Sequence, residues 1–328
     1  RMLALGSLLA TSLVLPAPTP SPRLSRAQPS MSAAAGVEPS LDQLYADIAA
    51  AQPAQQAAYE AWLDSGAVDT ADLVAQAAAQ GCKLDLKGGQ LSYADDFTPV
   101  PLCFDFIYCR HGKTTGNTEP RVYQGYVDEP NNALNEIGRG QAEEAADKLD
   151  ALGVTPDLVV LSPLSRATDT GMAWVRRDKE REKVTETWEE AAEMHFGSWD
   201  NVMVKDLDKE NMCHLFYLTQ NVVVTAPKPY VRPSDGTEFE AESFVTMLTR
   251  MRRMLDKLND RLAPLAAERK AAGKAAPLVV MYGHSMAGAG LSVLTGNGKV
   301  VDGKTYLGFD GKYIMPNATP VYLHKCKQ

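Results

Sequence analysis

Three stretches of this 328-residue chain each place a cation or an imidazole directly after an apolar run. The stretch FDFIYCRHGKTTGN, residues 104–117, runs from a strand-like segment into Arg110 and His111. SPLSRATDTG supplies Arg166 after a second apolar run, and VVMYGHS supplies His284 after a third. Such residues gain little by packing, but guanidinium groups match phosphate oxygens and stay charged at any working pH. Together they predict a site for an anion.

Two imidazoles and two guanidinium groups at one place would also suit a specific reaction. An imidazole held among cations can act as a nucleophile and accept a phosphoryl group. The leaving oxygen then needs a proton, and EMHFGSWDN offers Glu193, with Phe196 and Trp199 as apolar neighbours. Glu189 and Glu190 are close enough in sequence to compete for this role.

The elements that would position these residues alternate between strands and helices. Strands are predicted at 104–109, 157–162 and 277–283, and the last two are short continuous apolar runs, typical of strands covered on both faces. This pattern predicts an α/β fold: a three-layer sandwich whose mostly parallel central sheet has helices on both faces. In such sheets ligands bind beyond the carboxyl ends of the strands, where the three motifs would meet.

Two helices of the predicted sandwich have clear boundaries in the sequence. The first can be capped by Asn135 and ended by Gly153. The second carries an apolar stripe from Phe244 to Leu262, and we expect it to end at Pro264 because proline breaks helices.

The first hundred residues differ from the rest. Residues 1–36 contain an uncharged apolar run followed by Pro, Ser and Ala, which resembles a targeting segment and predicts a plastid-like organelle or secretion. Residues 37–100 are predicted to be an Ala-rich helical extension, either packed on the main domain or docking a protein partner. The catalytic domain is then expected at 101–328.

Composition excludes several classes of protein. The formal net charge of -8 and the sequence pI of about 5.3 argue against a general nucleic-acid binder, which needs a basic face. The leader's apolar run is too short for a stable membrane span. Five widely spaced cysteines without a CxxC pair argue against a zinc site and a disulfide framework, although one bridge between Cys82 and Cys103 stays open.

In these motifs, residues 103–324 resemble the histidine phosphatase superfamily, which includes the phosphoglycerate mutases. RHGKTTGN is similar to Arg-His-Gly-x-Thr-x-x-Asn, SPLSRATDT to Ser-x-Leu-x-Arg-Ala-x-x-Thr, and EMHFGSWDN to Glu-x-x-x-Gly-x-Trp-Glu-Gly. The resemblance implies a phosphoglycerate mutase-like fold without a cofactor or a metal. It also implies the following roles: catalysis by His111, Glu193 and His284; phosphate binding by Arg110, Asn117, Arg166 and His284; and substrate contact, as candidates, by Gln124, Gly125, His195 and Ser285.

The resemblance leaves phosphatase and mutase open. Met194 stands where the mutase box has an arginine, and only a few residues follow the last predicted strand, so water would reach a phosphohistidine. We therefore expect a metal-independent phosphatase acting on a small phosphomonoester, either a sugar phosphate or a phosphoglycerate-like acid. The alternatives are a phosphoglycerate-type mutase and a non-catalytic adaptor. Residues 200–237 are expected to form the cap that selects the substrate.

Overall fold

The structure is a computed structural model that describes residues 40–301, 304–306 and 315–327. The described residues from Ser40 onward fold as one compact unit. The predicted targeting segment, residues 1–36, lies outside the described residues, so the leader and the compartment stay predictions. In the described part of the chain, no helix has both the length and the apolar character needed to cross a membrane.

Helices and strands alternate through most of the described chain. The helices are α1 (Leu41–Ala50), α2 (Gln52–Asp64), α3 (Thr70–Ala79), α4 (Glu136–Ala151), α5 (Ser165–Val175), α6 (Lys179–Lys183), α7 (Leu215–Leu218), α8 (Phe244–Ala271) and α9 (Ser285–Leu294). The strands are β1 (Cys82–Asp85), β2 (Gln90–Tyr93), β3 (Asp105–Arg110), β4 (Leu158–Leu161), β5 (Thr185–Thr187), β6 (Tyr230–Val231), β7 (Glu238–Phe239), β8 (Leu278–Gly283), β9 (Lys299–Val301), β10 (Lys304–Tyr306) and β11 (Val321–His324).

The central sheet has five strands in the order β11-β3-β8-β4-β5 among the described residues. β3, β8, β4 and β5 run parallel, and β11 pairs antiparallel with β3. The three predicted strands are β3, β4 and β8, and they lie side by side. The prediction of a mostly parallel sheet is therefore confirmed.

The sheet is covered on both faces because its central strands are apolar on both sides. On one face, Phe106 and Tyr108 of β3 belong to the same buried cluster as the apolar stripe of α8 and much of α9. On the other face, Ile107 and Cys109 pack with Leu149 of α4 and with buried residues of α5. Alternate residues of one strand thus enter different cores, as the two-residue period of a strand requires. The predicted three-layer sandwich is confirmed.

The region before the catalytic motifs packs into the same core. α1, α2 and α3 lie within the predicted helical extension, and Leu44, Tyr59 and Leu73 join the buried cluster of α8. The sequence did not predict the antiparallel hairpin of β1 and β2, whose short polar strands lack the usual β-branched pattern. All five cysteines are free, so the bridge left open between Cys82 and Cys103 is not formed.

The expected end of the long helix at Pro264 is wrong, because α8 continues through this proline to Ala271. Pro264 is exposed, so its missing N–H and its ring lie on the solvent side, where a helix can bend around them. The turns beyond it are held by Arg269, whose guanidinium Nη1 donates to Asp157 Oδ2 at 2.9 Å. Asp157 immediately precedes β4, so this contact ties the helix end to the sheet.

Close packing of α5 on the sheet gives a stability prediction. A methyl group at Gly171 of α5 would lie 2.4 Å from Leu161 Cδ2 and 2.9 Å from Tyr282 Cδ2, which belong to β4 and β8. We expect Gly171→Ala to lower the free energy of unfolding by about 1–3 kcal/mol through overpacking. Urea unfolding followed by circular dichroism measures this change.

Gly140→Ala is the matched control, because Gly140 lies in α4 and a methyl group there meets nothing within 4 Å. It should raise the free energy of unfolding by about 0.5–1 kcal/mol, since alanine favours the helix. A variant of Gly171 as stable as the wild type would show that α5 shifts away from the sheet without cost.

Candidate active site

Strand register places two histidines side by side at the carboxyl edge of the sheet. Arg110 of β3 is the parallel partner of Gly283 of β8, so the next residues in each chain segment, His111 and His284, emerge at the same level. Their ring centroids are 5.3 Å apart, and both residues are buried. The two motifs that the sequence separates by more than 170 positions therefore form one site.

His111 has one ring nitrogen available for chemistry. Its Nδ1 lies 2.7 Å from the carbonyl oxygen of Gly112, which can only accept, so Nδ1 carries the proton and Nε2 keeps its lone pair. Burial lowers the pKa of His111 well below its ordinary value, and the nearby guanidinium groups of Arg166 and Arg110 lower it further. A neutral imidazole with a free Nε2 is the form that acts as a nucleophile.

His284 is held in the opposite tautomer. Ser162 Oγ accepts from the backbone N–H of Leu164 at 3.3 Å and lies 2.7 Å from His284 Nε2, so its hydroxyl proton is free to be donated to that nitrogen. Nδ1 then carries the proton and is a donor. Burial, together with the neighbouring Arg166 and His111, lowers the pKa of His284 well below its ordinary value.

Two buried arginines flank the histidines. Arg166 donates from Nη2 to Gly125 O at 2.5 Å and from Nη1 to Val127 O at 3.3 Å. Arg110 donates from Nη1 to Met315 O at 2.9 Å. Burial lowers the pKa of each guanidinium, but both groups stay charged at any working pH.

Several buried polar atoms around these residues have no hydrogen-bond partner in the described part of the chain. They are Nε of Arg110, Nε of Arg166, Nδ1 of His284 and Oγ of Ser285. An unpaired buried polar group costs about 1–3 kcal/mol, so native proteins rarely keep several together without a ligand. All four can donate, and a tetrahedral oxyanion is a ligand that accepts from several donors at once.

Glu193 lies at the N-terminus of α9. Its Oε1 accepts from the backbone N–H groups of Met194 and Ala287, both at 2.9 Å, and its Oε2 accepts from Met286 N–H at 3.0 Å. These bonds use three of the four lone-pair positions of a carboxylate, so one position on Oε2 stays open for a proton. Glu193 therefore anchors the start of α9 next to His284, and its Oε2 can still carry and transfer a proton.

The remaining sequence candidates occupy different positions. Asn117 Oδ1 accepts from Thr114 N–H at 3.0 Å, and both ends of the Gln124 amide are bonded within the same loop, to Thr114 Oγ1 and Asn132 O. These two side chains thus shape the loop after β3. His195 packs against Tyr126 with ring centroids 4.5 Å apart.

Gly112 is required by a contact that the sequence analysis did not foresee. A methyl group at Gly112 would lie 2.4 Å from Gly138 O, and one at Gly138 would lie 1.9 Å from Lys113 O. The pair of glycines therefore brings the first turn of α4 against the loop after His111.

A buried acid that sequence reasoning missed fixes the second arginine. Asp200 accepts from the backbone N–H groups of Gly125 at 2.9 Å, Tyr126 at 2.6 Å and Val127 at 3.4 Å. Arg166 binds the carbonyl groups of the same short loop, so the loop is held between a carboxylate and a guanidinium. The only sign of this role in the sequence is that residues 199–201 read Trp-Asp-Asn where the family motif has Trp-Glu-Gly.

No group of three or more His, Cys, Asp and Glu side chains within residues 40–301, 304–306 and 315–327 is arranged to hold a metal ion. The side chains brought together at the site are two imidazoles, two guanidinium groups and a carboxyl group.

Comparison with known proteins places these residues in a family context. The sequence profile of the histidine phosphatase superfamily (branch 1) matches residues 106–267. A mannitol-1-phosphatase from Eimeria tenella is 43% identical over 296 residues, which covers 85% of this chain and 94% of that protein. This share is larger than residues 101–328 could supply, so the similarity extends into the N-terminal helices.

Solved structures with similar folds were also found. A mycobacterial hydrolase has a TM-score of 0.45 and 25% identity, covering 66% of this chain and 89% of that one. A mycobacterial glucosyl-3-phosphoglycerate phosphatase has a TM-score of 0.41 and 26% identity, covering 58% of this chain and 79% of that one.

The buried carboxyl group of Asp200 gives a pH prediction. Burial raises its pKa from 3.8 to about 6, although three N–H donors and Arg166 act in the opposite direction. A carboxyl group with a raised pKa in the folded state stabilises the fold below pH 3.8 and loses that contribution as the pH rises through about 6. Relative to Asp200→Asn, the wild type should therefore lose about 3 kcal/mol of unfolding free energy across this window.

Urea unfolding of both proteins at a series of pH values measures this difference. Asp260→Asn, on the exposed side of α8, is the matched control for exchanging one carboxyl group for an amide. A difference between wild type and Asp200→Asn that rises with pH would contradict the prediction, because it would mean that the folded state favours the ionised form.

Proposed function

The chain belongs to the histidine phosphatase superfamily, and we propose that it hydrolyses the phosphomonoester of a sugar or sugar alcohol through a phosphohistidine at His111. The observation that carries this proposal is the pairing of a neutral His111, whose Nε2 is free, with unpaired donors on Arg110, Arg166 and His284. A nucleophile and the donors of an oxyanion cradle are therefore brought together among buried residues.

In the first step, Nε2 of His111 attacks the phosphorus atom and the bond from phosphorus to the substrate oxygen breaks. Charge on the phosphoryl oxygens is stabilised by the guanidinium groups of Arg110 and Arg166 and by the Nδ1 proton of His284. The departing oxygen takes a proton from Glu193 Oε2. The product alcohol leaves, and the phosphoryl group stays on His111.

In the second step, water attacks the phosphohistidine. Glu193, now a carboxylate, accepts a proton from the attacking water, and the nitrogen–phosphorus bond breaks. Inorganic phosphate forms, and Glu193 regains the proton it needs for the next turnover. Acid and base roles thus alternate on one carboxyl group.

The proposed substrate class rests on the curated relative. That protein is a mannitol-1-phosphatase, and the similarity covers nearly all of its length, so a phosphorylated sugar alcohol is the first substrate to test. The same relationship favours hydrolysis over the mutase alternative, as the sequence analysis expected. A protein partner for residues 37–100 stays a prediction.

Replacing the nucleophile tests the mechanism directly. We expect wild-type protein to release phosphate from mannitol 1-phosphate with EDTA present, and His111→Ala to lose at least about a thousandfold in kcat/KM. Rapid acid-free quenching with labelled substrate should trap a phosphoenzyme that is stable to base and labile to acid, the behaviour of a phosphoramidate.

His324→Ala is the control, since His324 lies on β11 and its Nε2 faces Cys326 at 3.9 Å rather than the pocket. Activity that survives in His111→Ala, or that EDTA abolishes in the wild type, would overturn the proposed mechanism.

A further inference from the structure

We propose that α1 completes the substrate side of the pocket by holding Glu119 and Arg121 beside Tyr217, and that this wall receives the uncharged hydroxyl-bearing chain of the substrate. The inference rests on the proposed phosphatase function and concerns the part of the substrate beyond the phosphoryl group. It assigns a role in the reaction to a region that precedes every motif of the family.

Glu119 joins α1 to the loop that follows Asn117. The hydroxyl group of Tyr45, in α1, donates to Glu119 Oε2. The backbone N–H of Arg121 donates to the same oxygen at 3.2 Å, and Arg121 Nε lies 3.7 Å from Glu119 Oε1. One carboxylate thus binds the helix on one side and the arginine on the other.

Arg121 is placed between two aromatic rings. Its Cζ is 4.5 Å from the ring centre of Tyr217 and 6.0 Å from that of Tyr45, within the range of cation–π attraction. Its Nε is buried and has no hydrogen-bond partner among the described residues. The guanidinium group is therefore fixed by its neighbours while part of its donor capacity is unused.

Tyr217 connects this arginine to the segment that carries Glu193. Burial raises the pKa of the Tyr217 hydroxyl to about 12, and charges from Arg121, Glu193 and Arg110 act on the same group. The Tyr217 ring lies 5.3 Å from the ring of Tyr123, which packs at 5.7 Å on Phe196, three residues after Glu193. Its hydroxyl makes no hydrogen bond to another described residue, so it can donate to or accept from a substrate.

The charge of this wall selects the kind of substrate. The carboxylate of Glu119 offsets the guanidinium of Arg121, so the pair carries no net charge. A second anionic group, such as the carboxylate of a phosphoglycerate, would be attracted by Arg121 and repelled by Glu119. Hydroxyl groups, which both donate and accept, suit a guanidinium, a phenol and a carboxylate together. The wall therefore favours a phosphorylated polyol over a phosphorylated acid.

The helix that carries Tyr45 is itself firmly anchored. Leu44 and Ile48 of α1 are buried in the main core. Asp47 forms an ion pair with Lys209, and Gln55 Nε2 donates to Ile48 O at 2.8 Å and to Lys209 O at 2.6 Å. Tyr45 thus offers Glu119 a fixed hydrogen-bond donor rather than a mobile one.

Glu119→Gln tests the inference, because it keeps the size of the side chain and removes the charge that offsets Arg121. We expect the ratio of kcat/KM for mannitol 1-phosphate to kcat/KM for 3-phosphoglycerate to fall about tenfold. Hydrolysis of p-nitrophenyl phosphate, which has neither hydroxyl groups nor a carboxylate, should change less than about twofold. Glu144→Gln, an exposed carboxylate on α4, is the matched control and should leave the ratio unchanged.

Tyr45→Phe tests the contribution of α1 itself, since it removes one hydroxyl group and keeps the ring. It should shift the same ratio in the same direction by about threefold, as expected for the loss of one hydrogen bond. Hydrogen exchange of residues 117–123 should be faster in this variant than in the wild type, a readout that does not depend on turnover.

Two outcomes overturn the inference and leave the proposed phosphatase function standing. One is a ratio of kcat/KM for mannitol 1-phosphate to kcat/KM for 3-phosphoglycerate that is unchanged in both variants. The other is a loss of kcat/KM that is equal for all three substrates. Wild-type protein that hydrolyses none of the three would instead overturn the proposed function. In that case hydrogen exchange of residues 117–123 still tests whether α1 positions this loop. An exchange rate in Tyr45→Phe equal to that of the wild type would show that α1 does not position it.

Discussion

The site depends on keeping the guanidinium group of Arg166 buried beside two histidines. Such a charge is costly to remove from water, and it persists because two of its nitrogens donate hydrogen bonds and opposite charges lie near. The carbonyl groups of Gly125 and Val127 accept from it, and Asp200 holds that loop through its backbone N–H groups. Glu193, which holds the start of α9, lies close enough to act on this arginine. The loop of residues 125–127 is therefore bound by Arg166 through its carbonyl groups and by Asp200 through its N–H groups.

The same arrangement explains how a histidine beside two arginines can be a nucleophile. Burial lowers the pKa of His111, and the positive charges that would bind a phosphoryl dianion lower it further, so its imidazole is neutral before the substrate arrives. Hydrogen bonds then choose the tautomers: Gly112 O takes the Nδ1 proton of His111, and Ser162 directs the proton of His284 to its other nitrogen. One imidazole presents a lone pair and the other presents a proton, which are the two roles that phosphoryl transfer requires.

The N-terminal helices show how a region without a motif can belong to a site. Their sequence indicates amphipathic helices and no chemistry, yet α1 reaches Glu119 and α3 packs on α8, where Thr249 Oγ1 donates to Gln76 Oε1 at 3.1 Å. The curated relative is similar over a span that includes part of this region. The continuation of α8 through Pro264 follows the same logic, since a contact between Arg269 and Asp157 outweighs a local helix-breaking signal.

The sequence by itself determined the sheet, its layers and the residues that meet at its carboxyl edge. The spacing of apolar residues and the alternation of strands with helices are local properties of the sequence. Parallel strands bring their carboxyl ends to one edge of the sheet whatever segments connect them. Only the tertiary structure decided the tautomers of His111 and His284, the anchoring of α9 by Glu193 and the clamp formed by Asp200. It alone placed Tyr45 against Glu119, 74 positions further along the chain. These features depend on the distance and direction between groups far apart in sequence, which residue type and spacing do not specify.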